Sequence, residues 1–263
     1  MSELQNIIEN LKSKDEVDAV FLTGSHGANT KPYSDIDLII ILKENTKSLQ
    51  SIFAWIDGIF ADIYFFDMEN IERIMSADWL TSSTNESKHT MNASLYSWVK
   101  KGTIQFDKSG SLTNLKNLKK EIKVAENEKL IEWKNINYNF EANTRYFESG
   151  DPLYYEALEI RLLYSIPQLI SGYLKFHGVV WQGEKFAISY LKENNRAFYD
   201  EFVAYSKSST LEEKFNHYKN LVKATLNPEF PLWDKAKIYP KSNNDPMKLD
   251  EVELVNYWTS LIA

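Results

Sequence analysis

Two aspartates, Asp35 and Asp37, stand two residues apart at the head of the apolar stretch 36–42. Side chains alternate along a β-strand, so both carboxylates are expected on one strand face, a few ångströms apart. Two like charges this close repel each other, and a buried strand is a costly place for them. A divalent cation removes that conflict, and Mg²⁺ prefers carboxylates together with phosphate oxygens. The pair therefore indicates a metal site, although an isolated Asp-Ile-Asp is more often a loop cap followed by an ion pair.

A glycine–serine pair lies upstream of these aspartates. The stretch 17–23 is rich in β-branched and apolar residues, as strands are, and Gly24-Ser25 follows it. Glycine lets the backbone come close to a phosphate, and the serine hydroxyl and nearby N–H groups can donate to its oxygens. A Gly-Ser turn alone is common. The order of strand, Gly-Ser, polar loop 25–34 and Asp-Ile-Asp is more specific, and it predicts a combined phosphate and metal site.

The stretch FLTGSHGANTKPYSDIDLIIIL resembles the signature of the DNA polymerase β-like nucleotidyltransferase superfamily. It is especially similar to the bacterial enzymes that modify aminoglycoside or lincosamide antibiotics. The resemblance implies that Gly24 and Ser25 hold the phosphates of a nucleotide and that Asp35 and Asp37 bind Mg²⁺. It also implies transfer of AMP from ATP, the co-substrate, to a hydroxyl group, with release of pyrophosphate. An antibiotic-resistance function follows as an expectation, with the acceptor expected between two domains.

Further site residues are expected from the same resemblance. A third carboxylate usually comes from a neighbouring strand, and Asp62 is the natural candidate as a metal ligand or as the base that takes the acceptor proton. Glu86 is the alternative base, and the choice stays open. Asp67 lies at the other end of that strand with opposite parity, which favours a helix cap. Lys185 begins a helix where relatives often contact the triphosphate, although a solvated surface lysine is an equal alternative.

The hydrophobic pattern predicts an α+β fold. A catalytic domain at 1–111 would hold strands at 17–23, 35–42, 59–66 and 103–106, with helices at 2–14, 47–55, 68–75 and 86–100. No strand is expected beyond Ser111. A helical domain for substrate and nucleotide binding is predicted at 112–263, with helices at 112–148, 152–177, 184–193, 196–205, 211–226 and 246–261.

Composition restricts the partners. The net charge of −7 disfavours DNA and other phosphate-backbone partners and favours a cationic small molecule, such as an antibiotic, or a metal ion. The absence of cysteine excludes thiol catalysis and zinc–thiolate sites. The longest apolar runs are too short to span a membrane, so a cytoplasmic protein without membrane contact is expected. The sequence indicates no oligomeric state.

Two other functions compete with this interpretation. The acceptor could be a protein or a tRNA, as in adenylylating antitoxins and related transferases. The negative net charge argues against tRNA, and the large second half argues against the minimal antitoxin type. A catalytically idle nucleotide-binding protein is the third possibility. The intact acidic pair disfavours it, because an idle protein has no need to hold two repelling carboxylates on one strand face.

Overall fold

The computed structural model describes residues 2–24, 35–78, 80–82, 91–240 and 251–262. The chain divides into two compact units, Met1–Ile122 and Lys123–Ala263. The domain boundary predicted between residues 111 and 112 lies N-terminal to this division. The reason is that the helix beginning at Ser111 packs Leu112 and Leu115 into the core of the first unit.

The first unit combines a mixed sheet with helices, and the predicted α+β class is confirmed. Its elements are α1 (Glu3–Ser13), β1 (Val17–Thr23), β2 (Ile36–Leu42), β3 (Ser51–Ile56), β4 (Ile59–Asp67), α2 (Met68–Ser76), β5 (Leu80–Ser82), α3 (Met91–Lys101), β6 (Thr103–Asp107) and α4 (Ser111–Asn117). A further short strand, β7 (Ile122–Val124), pairs with β5. The expectation of no strand beyond Ser111 was therefore wrong.

The main sheet has five strands in the order β3-β4-β2-β1-β6. The β2–β4 pair is parallel, and the other pairs are antiparallel. Alternation along β2 sends Leu38 and Ile40 to the face covered by α1, and Ile39 and Ile41 to the face covered by α2, α3 and α4. Because β2 lies at the centre with helices on both sides, its apolar residues are nearly all buried.

The β3–β4 hairpin corrects the helix predicted at 47–55. Ser48 has a positive φ of 51°, which an α-helix does not accommodate, and the apolar residues that follow belong to the extended β3. Asp57 and Gly58 turn the chain with φ of 52° and 75°, the paired positive values of a two-residue type I′ turn. The Asp57 carboxylate accepts the N–H groups of Glu3 (2.9 Å) and Leu4 (3.2 Å), so the turn also caps α1.

Asp67 is the N-cap of α2, as predicted. Its side chain accepts the N–H of Asn70, and the Asn70 side chain accepts the N–H of Asp67, which forms a capping box. This arrangement ends β4 and starts α2 without a loop. The carboxylate of Asp67 therefore stabilises the start of α2.

The second unit is helical, as expected. It contains α5 (Glu126–Glu148), α6 (Pro152–Phe176), α7 (Glu184–Asn194), α8 (Arg196–Lys207), α9 (Leu211–Thr225) and α10 (Glu251–Ile262). The start of α6 is confirmed, with Asp151 as N-cap and Pro152 in the first turn. A buried lysine, Lys175 on α6, pairs with Glu132 (2.6 Å) and Glu128 (3.6 Å) on α5. Among the residues that the structure describes, no helix is long and apolar enough to cross a membrane.

Candidate metal and nucleotide site

Three carboxylates converge on one face of the main sheet. Asp37 on β2 and Asp62 on β4 are direct partners in the parallel register, so their side chains point the same way from neighbouring strands. Asp35 precedes β2 by one residue. One oxygen from each of Asp35, Asp37 and Asp62 lies within 4.8 Å of the others. All three residues are half-buried, which leaves the cluster open to a ligand.

The electrostatics of the cluster favour a cation. Burial, and in second place the negative charge of Asp35, raises the pKa of the Asp62 carboxyl above its ordinary value of 3.8. A divalent cation would relieve both causes. The donor set consists of carboxylate oxygens alone, which suits a hard ion such as Mg²⁺ better than zinc or copper. The three residues therefore fit a hard divalent cation.

This raised pKa predicts a pH-dependent stability in the presence of a chelator. The folded protein keeps a proton on Asp62 to higher pH than the unfolded chain does, so the contribution of Asp62 to the free energy of unfolding falls as the pH rises above 3.8. We expect Asp62→Asn to remove this loss and to raise the melting temperature at pH 7. The gain should shrink as the pH falls and vanish below 3.8, where the wild-type carboxyl becomes protonated in both states. Thermal unfolding in EDTA across this range measures it. A variant that melts at or below the wild-type temperature at pH 7 would show that Asp62 is not electrostatically strained.

Gly24 packs directly against the cluster. It follows β1, whose last residue, Thr23, is the register partner of Asp37. Its φ is +66°, a left-handed conformation that favours glycine, and a Cβ there would overlap the carboxylate of Asp37. A side chain at position 24 is therefore disfavoured both by the backbone conformation and by the space that Asp37 occupies. The approach of Gly24 to the phosphates of a nucleotide stays a prediction.

The structure does not test the roles predicted for the other site residues. Ser25 and Glu86 lie outside the described residues, so their roles as phosphate ligand and alternative base stay predictions. Lys185 is an exposed residue in the first turn of α7 in the second unit. Its contact with a triphosphate also stays a prediction.

Aromatic residues on the same sheet face were missed by the sequence analysis. Phe53 on β3 is the register partner of Asp62, and Trp55 is the partner of Phe60 on β4. Because β3 was predicted as a helix, these residues had no expected place beside the aspartates. The Asp57-Gly58 pair, flanked by apolar residues, was the signal that could have revealed the hairpin.

Comparison with known proteins identifies the family of the chain. Residues 4–146 match the family model described as the nucleotidyltransferase domain, so the chain belongs to the nucleotidyltransferase domain family. Among solved structures, a nucleotidyltransferase-like protein from Exiguobacterium sibiricum 255-15 is similar over 85% of this chain and 73% of that chain. The two are 14% identical, with a TM-score of 0.41. No curated protein matches the chain.

Proposed function

We propose that this protein transfers AMP from ATP to a hydroxyl group of a small cationic molecule, an aminoglycoside-type antibiotic, and releases pyrophosphate. The observation that carries the proposal is the cluster of Asp35, Asp37 and Asp62 beside Gly24, in a chain that belongs to the nucleotidyltransferase family. Carboxylates that converge on a glycine turn suit a metal–nucleotide complex.

Each residue has a distinct task in this reaction. Asp35, Asp37 and Asp62 would hold Mg²⁺, which when bound neutralises charge that develops at the transferring phosphate. Gly24 leaves the backbone accessible to phosphate oxygens, and Ser25 would donate its hydroxyl to them. The proton of the acceptor hydroxyl would pass to Asp62 or to Glu86.

The charge of the chain supports a cationic acceptor. The net charge of −7 repels polyanions and attracts ammonium groups over the range of the Debye length. An aminoglycoside carries several ammonium groups and many hydroxyls. For the same reaction we also propose that Lys185 contributes a positive charge that attracts the triphosphate.

Mass spectrometry tests the proposal. Purified protein with ATP, Mg²⁺ and a panel of aminoglycosides is expected to add one AMP to at least one drug. The product should vanish with the double variant Asp35→Ala, Asp37→Ala, because the cation and its charge neutralisation are then lost. Lincosamides serve as the less charged comparison. ATP binding with no modified drug would refute the acceptor class alone, whereas absence of ATP binding would refute ATP as the donor.

A further inference from the structure

An exposed aromatic surface lies at the edge of the main sheet. Phe53, Trp55 and Phe60, here called the aromatic platform, are 61%, 68% and 39% exposed. The rings of Phe53 and Phe60 are nearly parallel, with centroids 6.3 Å apart, and Trp55 meets Phe60 edge-on at 5.4 Å. Large rings left in water forgo the free energy of burial, so a cluster of three indicates a surface that binds something.

The strand register places the platform directly beside the carboxylates. Thr23, Asp37, Asp62 and Phe53 are successive cross-strand partners on β1, β2, β4 and β3, and they form one row across the sheet. Neighbouring strands are about 4.8 Å apart, so the row spans about 14 Å from β1 to β3. Phe60 precedes Asp62 by two residues and therefore shares its face. Gly24 lies at one end of the row and the aromatic platform at the other.

We propose that the aromatic platform binds the ring of the acceptor and presents its hydroxyl to the α-phosphate of the nucleotide. The proposal rests on the proposed function. In an in-line displacement the attacking and leaving oxygens lie on opposite sides of the phosphorus. Gly24, which follows Thr23, would lie against the outer phosphates at the β1 end of the row. The attacking hydroxyl must then approach from the β3 end, where the platform lies next to Asp62.

The proposed transfer forms one bond and breaks one bond at the α-phosphorus. The acceptor oxygen forms a bond to the α-phosphorus, and the bond from that phosphorus to the bridging oxygen breaks. Pyrophosphate leaves with the bonding electron pair. The hydroxyl proton passes to the nearby carboxylate. An acceptor ring lying against Phe53 would bring its hydroxyl to the register position of Asp62, which suits that proton transfer.

Charge at the platform favours an acceptor with ammonium groups, such as an amino sugar. Asp62 is the register partner of Phe53, and residues 51–67 contain no lysine or arginine. The faces of exposed aromatic rings attract cations, and the nearby carboxylate adds to that attraction. A nucleic acid needs cationic partners for its phosphates, which this hairpin lacks. Dimerisation through the platform would bury the rings, but it would not explain why they lie beside Asp62.

A double variant tests the platform against a matched control. Phe53→Ala with Phe60→Ala removes two rings, while Ile52→Ala with Ile59→Ala removes side chains of comparable exposure, 41% and 37%, from the opposite face of the same two strands. The probes are kanamycin and neomycin. Their dissociation constants are measured by calorimetry with and without a bound, non-hydrolysable ATP analogue, and KM is measured wherever transfer occurs. Sedimentation velocity follows the oligomeric state.

The platform variant is expected to weaken aminoglycoside binding and to raise the acceptor KM about tenfold, with binding of the ATP analogue unchanged. The isoleucine variant should match the wild type. Equal losses in both variants, a wild type that binds neither drug, or a change confined to the oligomeric state would each overturn the inference. A wild type that binds the ATP analogue but neither drug leaves nucleotidyl transfer standing. A wild type that fails to bind the analogue refutes the proposed function itself.

Discussion

Replacing Asp37 by Asn is expected to reduce nucleotidyl transfer by at least about a thousandfold, equivalent to about 4 kcal/mol of lost transition-state stabilisation. Asp37 belongs to the cluster of three carboxylates and is the register partner of both Thr23 and Asp62. Asparagine keeps the shape of the side chain but removes its charge, so the site loses affinity for a divalent cation. Steady-state rates at saturating Mg²⁺ and ATP measure the effect.

The stability of this variant separates a functional loss from a folding defect. Asp37→Asn removes one of three neighbouring negative charges, so the metal-free protein should melt at the wild-type temperature or above it. The stabilisation that Mg²⁺ gives the wild type should disappear, because linkage requires binding to the folded state. Asp15→Asn, an exposed residue in the turn between α1 and β1, is the matched control and should change neither property. Near-normal turnover of Asp37→Asn at saturating Mg²⁺ would show that the metal site is assigned to the wrong residues.

The local patterns of the sequence predicted the centre of the first unit correctly. The stretches that became β1, β2 and β4 are dense in β-branched and apolar residues, and this composition favours a strand whatever its neighbours are. The strand parity of Asp67, opposite to that of Asp62, also correctly predicted a helix cap. Features that depend on a few consecutive residues were accessible in this way.

Features that depend on strand order were not accessible. The approach of Asp62 to Asp37 requires that β4 pair in parallel with β2, and nothing local to either strand specifies that neighbour. The resemblance to a known family supplied Asp62 as a candidate. The resemblance predicted no role for Phe53 and Trp55, and the helix wrongly predicted at 47–55 did not place them on a strand. Had the Asp57-Gly58 turn been recognised, the antiparallel register would have placed both residues on the face of Asp62.

Substitution of Gly24, in the turn after β1, is also expected to have a large effect on activity. Gly24→Ala is expected to lower kcat/KM at least about a hundredfold, the loss that a displacement of about 1 Å in a reacting group can cause. The new Cβ would overlap the Asp37 carboxylate, so either that side chain or the turn must move. The left-handed φ of +66° adds a cost to the folded state of about 1–2 kcal/mol. Kinetics with ATP and acceptor, together with thermal unfolding, measure the two effects separately.

Gly110→Ala is the control that separates backbone strain from the clash with Asp37. Gly110 has a similar φ of +76° in the same unit, at the start of α4, and a Cβ there would meet nothing within 4 Å. Gly110→Ala should therefore lose only the stability that the backbone strain costs, and Gly24→Ala should lose at least as much. Only Gly24→Ala should lose activity and Mg²⁺-dependent stabilisation. If the two variants were equally active, the close approach of Gly24 to Asp37 would have no part in catalysis. If Gly24→Ala kept its Mg²⁺ response but lost ATP binding, the turn would serve the phosphates without positioning the carboxylate.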